Sequence, residues 1–281
     1  MPHAKTQQEL VPADCGDAAR VTKMSLLTSP GRIDMKIAMA IACTSLCSMI
    51  GCALDDPPQL DDVEQPSICG PTNDAQFVNS YNGTLGPSIA FVQANKGSKG
   101  AMERSPTGGK FCSGSLISAN LFLTAGHCVD TSTVGQFVSF NFERAANSTT
   151  LLPQTHVRIT AVVEDARSGV DYAIVRLEGT PGNTFGIAPV ATADAAVGSA
   201  ITIIGHPAGQ PKQIEAGTVA SRSGDFLRYG NVDTLGGSSG SGILNSAGQI
   251  VGVHTLSGCT ATGGTNSGIR IARIRAVSTV L

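Results

Sequence analysis

From about Gly70 onward, short apolar stretches rich in β-branched residues alternate with turns of Gly, Asn and Ser. Examples are "SIAFVQ", "GSLIS", "LFLTAG", "QFVSFNF", "HVRITAVVE", "YAIVRL", "AITIIG" and "QIVGVHTL". Runs of this kind, spaced roughly 8–15 residues apart with turn signals between them, predict an all-β body of antiparallel strands, a sandwich or a pair of barrels. Helical periodicity is weak except in the final "RIARIRAVSTVL". There Ile271, Ile274 and Val277 recur at helical spacing and predict one short C-terminal helix. No internal repeat of solenoid period is visible.

The pattern before this body is different. "MKIAMAIACTSLCSMIGC", residues 35–52, has a basic start at Lys36, an apolar run from Ile37 to Ile50, and then Gly51 and Cys52. That order is that of a secretory signal, and the run is shorter than the roughly 20 residues of a membrane span. Its ending, "MIGC", resembles a bacterial lipoprotein signal, in which Cys52 becomes the lipidated N-terminus. An ordinary signal cut near Gly51 or Ala53 is the alternative. Translation from Met35 or Met24 would leave residues 1–34 as an upstream stretch outside the mature protein, or disordered. Residues 53–69, which include "ALDDPPQLDDVEQPS", are acidic and carry prolines, and they predict a solvated linker. The expectation is an exported protein, secreted or held in a bacterial cell envelope, with its domain over 70–281.

Charge and cysteine content narrow the picture. The 281 residues carry a net charge of -2 with 14% charged residues, which gives no electrostatic reason to expect nucleic acid as a partner. Of eight cysteines, Cys15, Cys43 and Cys47 precede the mature protein and Cys52 is the anchor candidate. Cys69, Cys112, Cys128 and Cys259 remain, an even set that in an exported chain predicts two disulfides. No paired C-x-x-C occurs among them, so no zinc site is expected. Neither cofactor nor metal is expected, and the chain is expected to be monomeric.

The candidate chemistry centres on "DTLGGSSGSG", Asp233 to Gly242. Its composition is that of a flexible spacer, yet the "ILNSAGQIVGVHTL" that follows reads as two strands and a turn. "GGSSG" fits the nucleophile-elbow pattern G-x-S-x-G through Ser238, but that fold needs an acid and then a His after the Ser. After Gly240 the chain has His254 and neither Asp nor Glu. The opposite order does occur: His127 in "LFLTAGHCV", Asp171 in "GVDYAIVRL", then Ser239 in "GGSSGS".

Together "TAGHC", "DYAIVRL" and "GGSSGS" resemble the chymotrypsin-like (trypsin-fold) serine peptidases, over about Ile89 to Leu281. The resemblance implies two six-stranded antiparallel β-barrels with a short C-terminal helix. It also implies a triad in which Ser239 is the nucleophile, His127 the general base and Asp171 its orienting acid. The amides of Gly237 and Ser239 would form the oxyanion hole. Ser238 stands where trypsins carry the Asp that pairs with a newly cut N-terminus, so trypsin-style activation is not implied. Cys112 and Cys128 resemble the family's disulfide around the His-bearing loop. The partner position that trypsins use for Cys259 is Leu235 here, which leaves Cys69 as its partner.

Asp233 lies where trypsins hold the acid that selects Lys or Arg. The wider string "DTLGGSSGS", with "GHPAGQPK" before and "GVHT" after, looks more like the bacterial glutamyl endopeptidase branch. There a Thr and a His at the places of Thr234 and His254 contact a substrate carboxylate, and Ser257 could add a hydroxyl. An imidazole can donate to a carboxylate and crowds a long basic side chain. The expected function is therefore an endopeptidase acting on proteins or peptides, with preference for Glu or Asp on the acyl side. The alternatives are Lys/Arg specificity through Asp233, or a catalytically silent surface protein that binds a partner. His206 in "IIGHPAG" reads as a surface-turn residue and His156 as an ordinary strand residue.

Overall fold

The computed structural model describes residues 67–281. The expected upstream stretch, the signal with Cys52, and the linker as far as residue 66 lie outside the described residues. The last part of the expected linker belongs to the fold. Ser67 is fully buried and bridges Thr234, and Cys69 is bonded to Cys259.

The first elements are β1 (Gln76–Phe77) and α1 (Ile89–Asn95). Six strands follow: β2 (Lys99–Glu103), β3 (Lys110–Leu116), β4 (Leu121–Thr124), β5 (Phe137–Phe140), β6 (Thr155–Asp165) and β7 (Ala173–Leu177). They close into a barrel in the order β2-β3-β4-β7-β6-β5. Inward positions such as Met102, Leu116, Phe122, Val138, Ile159 and Val175 are almost wholly buried and fill it.

After the single turn α2 (Gly182–Phe185) come β8 (Ala200–Gly205), β9 (Gln213–Thr218), β10 (Ser221–Ser223) and β11 (Phe226–Tyr229). Then follow β12 (Gly242–Leu244), β13 (Ile250–Leu256), the small hairpin β14 (Cys259–Thr260) and β15 (Gly263–Gly264), and β16 (Asn266–Arg270). Eight of the strands form one antiparallel sheet in the order β1-β9-β8-β12-β13-β16-β11-β10. Six paired strands closing a second barrel were expected; the pairing found is this longer sheet, with β1 and β10 at its ends. The expected C-terminal helix is α3 (Ile271–Arg275), which buries Ile271 and Ile274 but leaves Val277 exposed.

One expected strand is a helix. "SIAFVQ" has strand-like composition, but Ser88 caps α1 by accepting a hydrogen bond from the Phe91 amide at 3.1 Å, and only Val92 is buried. A cap at the first turn outweighs the weak β preference of an Ile and a Val. His206, expected at the surface, is fully buried against the Phe142 ring, because its turn packs beneath the loop that carries Ser239.

Candidate active site

The register of β4 against β7 brings the histidine and the aspartate together. Leu123 faces Ile174 and Thr124 faces Ala173, so the turn Gly126–Cys128 after β4 meets Asp171 just before β7. The His127 amide donates to Asp171 Oδ1 at 2.8 Å, and His127 Nδ1 lies 2.7 Å from Oδ2. Two bonds to one carboxylate fix both the backbone and the ring of His127. Burial opposes the charge on Asp171, but the hydrogen bonds from the His127 ring and from the His127 and Gly126 amides, with the imidazole's own charge, outweigh it. The Asp171 pKa is therefore held below the usual carboxylate range, and the group is ionised at neutral pH.

The loop before β12 is clamped to the first barrel by Ser113. The Ser113 amide donates to the Ser239 carbonyl and its hydroxyl to the Gly237 carbonyl, both at 2.8 Å. Within the loop, the Ser238 amide donates to Leu235 and the Gly240 amide to His254. Among the described residues, neither the Gly237 nor the Ser239 amide has a hydrogen-bond acceptor. The Gly236 carbonyl accepts from the Ala208 amide at 2.6 Å. In a trans peptide C=O and N–H point opposite ways, so this bond turns the Gly237 N–H away from Ala208. Gly237 itself has φ +90°, and a Cβ there would stand 2.7 Å from the His206 carbonyl oxygen. Only glycine fits that backbone and that space.

His127, Gly237 and half-buried Ser239 line one cleft of about 640 Å³. It is also lined by Leu235 and Gly236, and by His254, Thr255 and exposed Ser257 from β13 and just after it. The Cys112–Cys128 disulfide lines it as well, as does Arg104, whose guanidinium lies 5.3 Å from the Phe111 ring centroid. Both expected cystines are present, Cys112–Cys128 and Cys69–Cys259.

His254 is fully buried apart from its face on the cleft, and its Nδ1 lies 2.6 Å from the Tyr229 hydroxyl. Burial first, and then the charge of His127, push its pKa down to about 3. Burial keeps the Tyr229 hydroxyl protonated, with a pKa raised well above 10. If Tyr229 donates to Nδ1, the hydroxyl and Nδ1 satisfy each other and the imidazole proton sits on Nε2, with the Ser267 backbone also close enough to act on the ring. His254 is then a neutral N–H donor, not a cation.

Asp233 and Thr234 are not among the cleft-lining residues. Asp233 is buried and turned toward the N-terminal segment, accepting from the Cys69 amide at 2.7 Å and the Asp74 amide at 3.1 Å. Thr234 is 1% exposed, and its hydroxyl has no hydrogen-bond partner. Of the four residues expected to line a specificity pocket, His254 and Ser257 line this cleft, and Asp233 and Thr234 do not. Two contributors escaped the sequence reading: Tyr229, in a polar-flanked strand without a motif, and Ser113, whose one signal is its place beside Cys112.

A β-barrel joined to an antiparallel sheet, with an Asp-supported imidazole and a loop serine on a shared cleft, is in keeping with the serine peptidase fold. The chain belongs to the trypsin-like peptidase domain family, whose model matches residues 112–253, half of the chain. It stands near the glutamyl endopeptidase branch. It is 25% identical to a glutamyl endopeptidase of Staphylococcus aureus over 205 residues, 69% of this chain and 54% of that protein. It is 27% identical to Secreted RxLR effector protein 73 of Plasmopara viticola over 216 residues, 69% of this chain and 52% of that protein. The chain thus spans about half the length of these two relatives. Among solved structures, a Glu endopeptidase in complex with MPD superposes with a TM-score of 0.55 at 23% identity, over 74% of this chain and 96% of that one. A serine endoprotease from Yersinia pestis gives 0.51 at 20% identity, over 66% of this chain and 63% of that one. These two likenesses concern the fold.

Proposed function

We propose that the chain is an exported serine endopeptidase that works through an acyl-enzyme and prefers Glu or Asp on the acyl side of the cut. Ser239 Oγ attacks the substrate carbonyl carbon while His127 Nε2 takes its proton. The carbonyl oxygen becomes an oxyanion that accepts from the Gly237 and Ser239 amides, each such donor contributing about 3–4 kcal/mol. His127 then gives the proton to the leaving amine as the C–N bond breaks. Water repeats the sequence and releases the acid. Asp171 keeps the imidazole in the tautomer with its proton on Nδ1 and stabilises the imidazolium.

The observation that carries this reading is the Asp171-held His127 in one cleft with Ser239 and two amides that lack acceptors. The acidic preference rests on His254, whose Nε2–H would meet a substrate carboxylate in the cleft. Export rests on the pattern of residues 35–52, with Cys52 as the lipid anchor, and the name of the Plasmopara viticola relative is in keeping with it. A reading as a Lys/Arg-specific peptidase has no comparable support, since the Asp233 carboxylate already accepts two amide protons.

A fluorophosphonate probe tests the mechanism. Labelling is expected on Ser239 and abolished in Ser239→Ala. A folded protein that takes no label is instead a silent binding protein. Cleavage of a peptide library tests the specificity: efficient cutting after Arg that survives His254→Ala would overturn the acidic preference.

A further inference from the structure

Behind the nucleophile loop, away from the substrate cleft, three carboxylates converge from distant parts of the chain. Pairing of β1 with β9, Gln76 against Ile214, sets Asp74 beside Glu215. Asp233 approaches from the start of the loop that carries Ser239. One oxygen from each residue lies within 4.8 Å of the others. The three residues are far apart in sequence, so no motif announces them.

Glu215 is the second observation. Its side chain is 4% exposed and both carboxylate oxygens are buried; neither makes a well-formed hydrogen bond, although the Asp74 carboxyl and the Asp233 amide lie close enough to act on it. A buried carboxylate left without partners is costly, and native proteins seldom leave one so. Glu215 and Asp233 line a small cavity with Gln213 and Ser238, with room for about a single water-sized particle. No lysine or arginine lines it. Without an ion, a proton held between Glu215 and Asp74 supplies the missing positive charge, and a small cation bound through oxygen would replace it.

We propose that Asp74, Glu215 and Asp233 bind one divalent cation of the calcium type. Oxygens up to 4.8 Å apart can share one ion at the Ca–O distance of about 2.3–2.6 Å, and calcium accepts irregular, carboxylate-rich shells. Magnesium needs a tighter octahedron and keeps most of its water. The Asp233 oxygens that accept the Cys69 and Asp74 amides each keep a second lone pair for the ion. The cation would join the N-terminal segment, β9 and the base of the nucleophile loop. It would reinforce the Cys69–Cys259 bond, which fixes the same segment.

The test is calorimetric titration of EDTA-stripped full-length protein with CaCl2 and with MgCl2, alongside thermal melting. It is run on the Ser239→Ala variant as well as the wild type. One calcium ion per chain is expected, with a melting temperature that rises and saturates with calcium and a weaker response to magnesium. Asp74→Asn and Glu215→Gln should each weaken calcium binding at least about tenfold, because affinity follows the number of charged ligands. Asp74 is exposed, so Asp74→Asn keeps the test valid even if Glu215→Gln fails to fold. Absence of calcium binding in the wild type, or an equal calcium shift in wild type and Asp74→Asn, overturns the site. Binding in Ser239→Ala shows that this outcome is separate from the peptidase reading.

Discussion

Tyr229→Phe separates a specificity pocket from an ordinary buried histidine. The substitution keeps the ring that fills the space and removes only the hydroxyl 2.6 Å from His254 Nδ1. Tyr229 is fully buried, so water cannot replace the lost donor. Leaving a buried acceptor unpaired costs about 1–3 kcal/mol. The imidazole, held neutral by a pKa of about 3, then has nothing to hold its proton on Nε2, and the tautomer with the proton on Nδ1 becomes comparably accessible. Nε2 would then turn a lone pair toward the substrate carboxylate in place of a proton. Tyr229 is thus a positioning residue, acting through the tautomer of His254. The expected loss in kcat/KM for a peptide with Glu on the acyl side is roughly 5- to 150-fold, the range that corresponds to about 1–3 kcal/mol. A matched Gln peptide, which can accept or donate, should lose much less. The assay is kcat/KM for the Glu and Gln peptides on wild type and variant, with urea unfolding in parallel. An unchanged Glu/Gln ratio beside a lowered stability would refute the reasoning and leave Tyr229 a packing residue.

Three further outcomes are expected. Asp171→Asn should keep the fold but lower kcat by about 10⁴-fold, because the wrong imidazole tautomer is held; near-normal turnover would remove Asp171 from the mechanism. Gly237→Ala should lower kcat about 10²–10³-fold through a displaced amide, with fluorophosphonate labelling slowed in step; full activity would mean this amide does not hold the oxyanion. Stability should fall with acid in EDTA-treated protein. Burial lowers the pKa of both His206 and His254 to about 3, while burial and then the charges of Asp74 and Asp233 raise Glu215 to about 9. As pH drops below about 6.5 the unfolded chain gains a proton at each histidine that the folded chain does not, costing about 1.4 kcal/mol per unit per site. Between about pH 4.5 and 6.5 the folded chain alone keeps the Glu215 proton, which offsets one histidine, so a net loss of about 1.4 kcal/mol per unit is expected. Urea midpoints that stay flat over this window would contradict it.

What the sequence made legible follows from how far each feature depends on its neighbours. β4, β7, β8 and β13 are dense in β-branched residues and bounded by turn signals, and they lie where those signals put them. The hairpin of β10 and β11 escaped because "SRSGDFLRY" is mostly polar, and its pairing depends on a turn at Gly224, where φ is +57°. The helix at Ile89–Asn95 escaped because its cap is a single serine. His127, Asp171 and Ser239 were legible as three motifs in order, whereas side-chain direction was not.

Asp233 is the case in point. Its spacing from Ser239 suits a cleft-lining acid that would bind Lys or Arg, yet two backbone amides of the N-terminal segment hold it on the other side of the loop. Spacing could not reveal this, because Cys69 and Asp74 lie more than 150 residues away. To reach the cleft, the carboxylate would have to leave both amides, at about 1–3 kcal/mol for each group left buried and unpaired. It would also bring a negative charge to the pocket where His254 offers its N–H. A basic substrate would have to repay that cost before gaining any affinity, whereas on the proposed reading an acidic one would meet the His254 N–H without it. The same residue that suggests Lys/Arg specificity in the sequence therefore argues against it once its hydrogen bonds are counted.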